Sequence, residues 1–221
     1  MSDSENAGLL WLAIAWLAYA FLHSVLASLR VKSWIGRLAP TVMSCYRLIF
    51  NGIAVITALP IVWLLLNQLE GPYVLSWHGP WRWLALGLTL ASCIGFLFSL
   101  RTYDLGEFIG LRQLRERSTD IHDHAGFSIS FLHRFVRHPW YFFALVMLWT
   151  QNMNAAMLVN AVAISAYFAI GTFFEERKLM VSYGEAYRRY MTRVPGLIPL
   201  PWKFLSAAEA AQIASMPPGD S

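Results

Sequence analysis

The chain has 221 residues, of which 57% are apolar or aromatic and only 14% are Asp, Glu, Lys or Arg. A soluble domain carries about 25% charge and needs more polar surface than this composition supplies. A secreted disulfide scaffold, a disordered chain and an ordinary soluble enzyme are therefore excluded, and one membrane domain over 1–205 is expected, with a fraying tail at 206–221. The formal charge of +4 is scattered over short loops with no basic patch, so no nucleic-acid partner is expected.

Charge-free runs at 6–29, 48–69, 83–100 and 138–174 locate the membrane segments. A helix crosses the hydrocarbon with about 20 residues, so the first three are single spans and the fourth is a helical hairpin turning at Gln151–Asn154. The expectation is an all-α integral membrane bundle of about five transmembrane helices, at about 7–29, 48–69, 83–100, 139–152 and 155–174. The first run is led by Asp3 and Glu5 and has a long apolar core, which reads as a retained helix rather than a signal peptide. Two further helices are expected at the interface. Residues 104–117 place Leu105, Phe108 and Ile109 on one face beside Arg112, Arg115 and Arg117. Residues 176–193 carry Met180, Tyr183, Tyr187, Tyr190 and Met191 as a helical stripe, stopped by Val194-Pro195-Gly196. With five crossings, sixteen of the seventeen Lys and Arg fall on one side. The positive-inside rule makes that side cytoplasmic, with the N-terminus outside and the C-terminus inside.

Three groups of residues can carry chemistry. The first is Arg137-His138-Pro139-Trp140-Tyr141. Proline at the first helical position pre-shapes a helix start, whose N–H groups and positive dipole end favour carboxylates and phosphates. Arg137 adds a bidentate donor there. The plainer alternative is that Arg137 and His138 only anchor a helix end. The second group is Glu175-Glu176, two carboxylates at a membrane boundary, costly unless partnered or solvated. Glu176 shares the face of Met180, Tyr183 and Tyr187 and is expected to look inward; Glu175 lies about 100° away. An inward carboxylate could hold an amine, or pair with Arg177 or Lys178. Glu185 and Arg189, at i,i+4, read as a surface pair. The third group is Asp120, His122, Asp123, His124, His133 and His138, whose spacing matches no established ligand pattern, so no metal is expected. His23, in the first run with Ser24 and Ser28, is a weaker intramembrane candidate.

The order and spacing of the C-terminal motifs resemble the isoprenylcysteine carboxyl methyltransferase superfamily, which includes phospholipid methyltransferases. They run Arg137-His138-Pro139-x-Tyr141, Glu175-Glu176-x-x-Leu179, Tyr183-Gly184-x-x-Tyr187-x-x-Tyr190 and Val194-Pro195-x-x-Ile198-Pro199. The N-terminal His23-Ser24-x-Leu26-Ala27-Ser28, Tyr46-Arg47-x-x-Phe50-Asn51, and the stretch from Asp104-Leu105 to Gly110-Leu111-Arg112-Gln113 resemble its bacterial branch, which holds methanethiol S-methyltransferase and NnrU-type membrane proteins. The resemblance implies S-adenosylmethionine in a cytoplasm-facing site and a small-molecule or lipid methyl acceptor entering from the membrane, here a bacterial inner membrane. It implies that Arg137, His138, Pro139 and Tyr141 line the cofactor site, that Glu175 or Glu176 takes the cofactor's amino group, that Tyr187 packs nearby, and that Arg188 or Arg189 meets its carboxylate. Arg193 could steer an anionic acceptor. The family commonly has Gly two residues after the motif tyrosine; Phe143 stands there instead and narrows either a helix contact or the acceptor pocket.

The function expected is methyl transfer from S-adenosylmethionine to a small thiol such as methanethiol. A thiol must lose its proton before it attacks. His138, beside Arg137, is the expected base, with His133, His122 or Asp104 behind it. The competing readings are an isoprenylcysteine or lipid methyltransferase, an NADPH-dependent membrane reductase and a non-enzymatic NnrU-type protein.

Overall fold

The computed structural model describes residues 3–68, 70–101, 105–117 and 127–216. Asp104, Asp120, His122, Asp123 and His124 lie outside the described residues. The described chain is all-α: α1 Asp3–Ala27, α2 Leu29–Leu38, α3 Tyr46–Leu66, α4 Pro80–Leu100, α5 Leu105–Ile109, α6 Leu111–Glu116, α7 Pro139–Trp149, α8 Ala155–Arg193 and α9 Ala207–Ala214. Four helices are long and apolar enough to cross a membrane, within Glu5–Ala27, Pro40–Leu66, Pro80–Leu100 and Ala155–Arg193. The fifth expected span is the 11-residue α7. At about 1.5 Å per residue it is about 16 Å long, roughly half the hydrocarbon thickness.

Contacts divide the chain into two units. The first comprises residues 1–76, 103–124 and 152–164. Its core is Leu12, Ile61 and Ala156, with Trp16, Tyr19, Leu65 and Val159 packed around them. Polar groups inside it are matched: Trp16 Nε1 donates to Asn160 Oδ1 (3.1 Å), and Asn154 Nδ2 donates to the Gln68 carbonyl (2.7 Å) while its Oδ1 accepts from Met157 N (2.9 Å). Helix α2 falls where the sequence reading placed only a loop. Ser28 caps it by accepting from Val31 N at 3.3 Å, a start signal that was present in the sequence. The expected interfacial helix over 104–117 is two short helices, because Gly110 takes φ 99° between them. A Cβ at Gly110 would stand 2.8 Å from Leu48 N. The Arg47 and Asn51 side chains account for that close approach. Arg47 Nη1 donates to the Glu107 carbonyl (2.8 Å), and Asn51 Nδ2 donates to the carbonyls of Phe108 and Ile109 (3.1 and 2.9 Å). Carbonyls left without helical partners at the end of α5 are thereby satisfied.

The second unit comprises residues 77–102, 125–151 and 165–221. Helix α4 packs on α7 through a Thr89–Thr150 hydroxyl pair at 2.7 Å, Cys93 against Met147 Sδ at 3.4 Å, and Phe96 against Trp140. Phe143 lies against Gly95, where an added Cβ would stand 2.4 Å from the ring. The small residue of this contact sits on α4, and the bulky one on α7 fills it. The narrowing expected at Phe143 is thus a helix contact.

Helix α8 shows no break at 174–176, where a separate amphipathic helix was expected to begin. Nothing there disfavours the helix: Phe173 through Lys178 are all compatible with it. The break falls instead at Gly184 (φ 52°, ψ −125°), a conformation that side chains other than glycine's resist. Beyond it, Tyr187, Tyr190, Val194, Leu205, Ala210 and Ile213 form a buried core with Phe127 and Tyr183 packed on it. The tail expected to fray carries α9 within this core. Its Ser206/Glu209 capping box satisfies two N–H groups, and Arg193 holds Glu209 at 2.7 Å. The short polar stretch orders because Ala210 and Ile213 bury one face.

Candidate functional site

The site is built where the start of α7 meets the middle and end of α8, all within the second unit. Pro139 begins α7, and the preceding His138 is non-helical (φ −122°, ψ 72°). The backbone beside it is paired with the segment after α8: Arg137 N donates to the Pro195 carbonyl (2.9 Å) and His138 N to the Gly196 carbonyl (3.1 Å). The two N–H groups that precede α7 are therefore committed to the protein itself.

Arg137 is likewise committed. Nε and Nη2 donate to Glu176 Oε1 and Oε2 at 2.7 and 3.0 Å, a bidentate pair with both side chains 10% exposed. Nη1 donates to the carbonyls of Met191 (3.1 Å) and Val194. One guanidinium thus ties the start of α7 to two carbonyls that end α8 and to a carboxylate in its middle. Gly196 lets it do so: a Cβ there would lie 3.2 Å from Arg137 Nη2 and 3.6 Å from Glu176 Oε1. The neighbour that would have to yield is held by four hydrogen bonds. Gly196→Ala is accordingly expected to cost about 1 kcal/mol or more, read as a lowered melting temperature in detergent.

His138 is buried between two carboxylates. Its Nε2 lies 3.1 Å from Glu176 Oε1 and its Nδ1 3.7 Å from Glu175 Oε2. A carboxylate only accepts, so the Nε2 contact places a hydrogen on that nitrogen and leaves the lone pair of the neutral ring on Nδ1. Nδ1 faces Glu175, whose side chain is 48% exposed. The two adjacent glutamates thus differ as their helical positions require: Glu176 inward and saturated, Glu175 outward and half-open. The His138 ring stacks on Tyr141 (5.4 Å), which stacks on Phe168 of α8 (4.4 Å). His133 stands behind this group, with Nδ1 2.7 Å from Ser130 Oγ and its carbonyl accepting from the Tyr190 hydroxyl at 2.6 Å. Burial, then the neighbouring His138, pushes His133 down to about 4, which keeps it neutral at physiological pH.

The amino-acid sequence that builds this site is similar to that of known proteins over most of its length. It is 30% identical over 184 residues to methanethiol S-methyltransferase 2 of Bradyrhizobium diazoefficiens, covering 82% of this chain and 69% of the relative. It is 28% identical over 197 residues to methanethiol S-methyltransferase of a Pseudomonas species (85% and 72% covered). It is 30% identical over 198 residues to methanethiol S-methyltransferase of Mycobacterium tuberculosis (83% and 75% covered). The chain belongs to the methanethiol S-methyltransferase family. No family model and no solved structure matches it.

Other residues singled out in this methyltransferase take different places. Tyr187 is 2% exposed and sits in the aromatic core with Phe127 and Tyr190. Arg188 and Arg189 are 71% and 60% exposed and pair with Glu185 at 3.8 and 3.2 Å, the expected surface pair extended by one member. Arg193 faces Glu209. His23 stacks on Tyr19 (5.6 Å) and lies 4.3 Å from the Phe50 ring, in the first unit. Among the described residues no group of three His, Cys, Asp or Glu is placed to hold a metal ion. The sequence reading missed Gly196, Phe168 and Thr172. The last two precede Glu176 at i−8 and i−4 on one helical face, a spacing that could have been followed upstream.

Proposed function

We propose that the chain transfers a methyl group from S-adenosylmethionine to methanethiol or a similarly small thiol. The observation that carries this reading is His138 held by Glu176 through Nε2, with Nδ1 turned toward the half-open Glu175. Bound at this end of α7, S-adenosylmethionine supplies an electrophilic methyl on a sulfonium. The donor set fits such a zwitterion in part. Glu175 is the carboxylate with room for its amino group, since Glu176 is occupied by Arg137 and His138. Arg188 and Arg189, both exposed, are the cations assigned to its carboxylate.

The residues of the chain do the rest. The thiol proton passes to His138 Nδ1, and the charge this places on the imidazole is balanced by Glu175 and Glu176 on its two sides. Arg137 fixes Glu176, and Glu176 fixes the ring orientation, which is the orienting role a carboxylate plays behind a catalytic histidine. Stacking on Tyr141 limits ring rotation further. The names of the relatives support the thiol acceptor, and the charge asymmetry of the loops supports a bacterial inner-membrane protein with its N-terminus outside and its C-terminus cytoplasmic.

The test is methyl transfer by purified protein in detergent from labelled S-adenosylmethionine to methanethiol; absence of a labelled thioether sinks the reading. Glu175→Gln is expected to weaken S-adenosylhomocysteine binding about tenfold, the scale of one charge-assisted hydrogen bond, while leaving the melting temperature unchanged. Isothermal calorimetry beside a thermal melt reads both quantities. Unchanged affinity would move the amino group elsewhere.

A further inference from the structure

Thr172 is 7% exposed, and its Oγ1 is buried with no hydrogen-bond partner among the described residues. A helical threonine commonly satisfies its hydroxyl on the carbonyl one turn back, as Thr89 does on Ala85 (2.9 Å) and Thr150 on Val146 (2.7 Å). Thr172 does not. A buried hydroxyl left unmatched costs stability, and valine at the same place would fill the same volume without that cost. A buried polar group left unmatched calls for a physical reason, and a ligand that completes it is one.

Its position indicates which ligand. Phe168, Thr172 and Glu176 follow one another at four-residue steps, so they share the buried face of α8, while Phe173, Phe174 and Glu175 are exposed. The outer two both meet the start of α7: Phe168 through Tyr141, and Glu176 through Arg137 and His138. Thr172 is bracketed between them. It therefore occupies the helical turn between Phe168, which closes the His138–Tyr141–Phe168 ring ladder, and Glu176, which holds the imidazole. A small apolar molecule with one polarizable sulfur suits a place between aromatic rings and a polar pair, and a hydroxyl there can donate to that sulfur on binding.

We propose that the Thr172 hydroxyl is a binding contact for the thiol acceptor and a determinant of its specificity, holding the sulfur beside His138. The contact rests on the methyl-transfer reading above. Val at this position keeps the shape and removes the donor; Ser keeps the donor.

The experiment compares full-length wild type, Thr172→Val and Thr172→Ser in detergent, with methanethiol as the acceptor. Thr172→Val is expected to raise the KM for methanethiol about tenfold, the loss of one hydrogen bond. It should leave the Kd for S-adenosylhomocysteine at the wild-type value and raise the melting temperature without ligand. Thr172→Ser should keep the wild-type KM. The contact is overturned by a wild-type KM in Thr172→Val, by an equal loss of S-adenosylhomocysteine affinity, or by a lowered melting temperature, which would mean that the hydroxyl serves the fold. Wild-type protein that methylates no thiol overturns the underlying reading and this contact with it. Active wild type with an unchanged valine variant overturns the contact alone.

Discussion

Arg137→Ala and Glu176→Ala each lose about 3–5 kcal/mol of stability, because either change leaves a buried charge without its bidentate partner. Both side chains are 10% exposed, so water cannot take the place of the missing group. Arg137→Ala also frees the carbonyls of Met191 and Val194, which end α8. The double replacement Arg137→Met/Glu176→Leu is expected to recover much of the loss, since it strands no charge. Thermal unfolding of the purified variants decides this. If the single variants melt within the range of exposed ion pairs, about 0–1 kcal/mol, the clamp is not the load that its geometry implies. Loss of activity in an Arg137 variant would consequently be weak evidence for cofactor contact. The Glu175 variant, whose side chain is half-open, is the cleaner probe.

His138→Gln is expected to lower the rate of thiol methylation by about 10²–10⁴-fold near neutral pH, the usual contribution of a positioned general base. The deficit should shrink as pH rises, because a thiol ionises unaided in alkaline solution and then needs no base. Single-turnover rates across a pH series, with S-adenosylhomocysteine affinity measured in parallel, separate this from a binding defect. A deficit constant at all pH values would mean that His138 places a ligand and does not move a proton. Glutamine retains a donor toward Glu176, so the variant tests the lone pair on Nδ1 rather than the carboxylate contact.

How the site could be read from sequence differs residue by residue. The proline of Arg137-His138-Pro139 marked a helix start because its ring presets the backbone and removes only an N–H that the first turn leaves unused. The inward Glu176 and outward Glu175 followed from helical periodicity alone, and their burial agrees. What Arg137 does was beyond that reach. Its guanidinium meets Glu176, Met191 and Val194, and the spacing of a motif cannot show that three groups so distant in sequence converge. The same holds for Gly196, which local rules mark only as part of a helix stop: it has no unusual φ, and its small size matters because Arg137 lies against it. Helix α9 was missed because its stability comes from Ala210 and Ile213 entering a core made by distant residues, while its own residues read as small and polar.

The sequence by itself determined that the chain is helical and membrane-embedded. A chain with 14% charged residues cannot cover a soluble core, and backbone polar groups in hydrocarbon are satisfied inside helices. It also determined the family, through the order of its C-terminal motifs. Only the tertiary structure decided how the few charges near the spans are used. The low charge count made Arg137, Glu175 and Glu176 all candidates for a zwitterionic cofactor. Packing then consumed Arg137 and Glu176 in one buried pair, because a charge out of water must find its partner within the protein before it can serve a ligand. That left Glu175 half-open and His138 oriented between the two carboxylates.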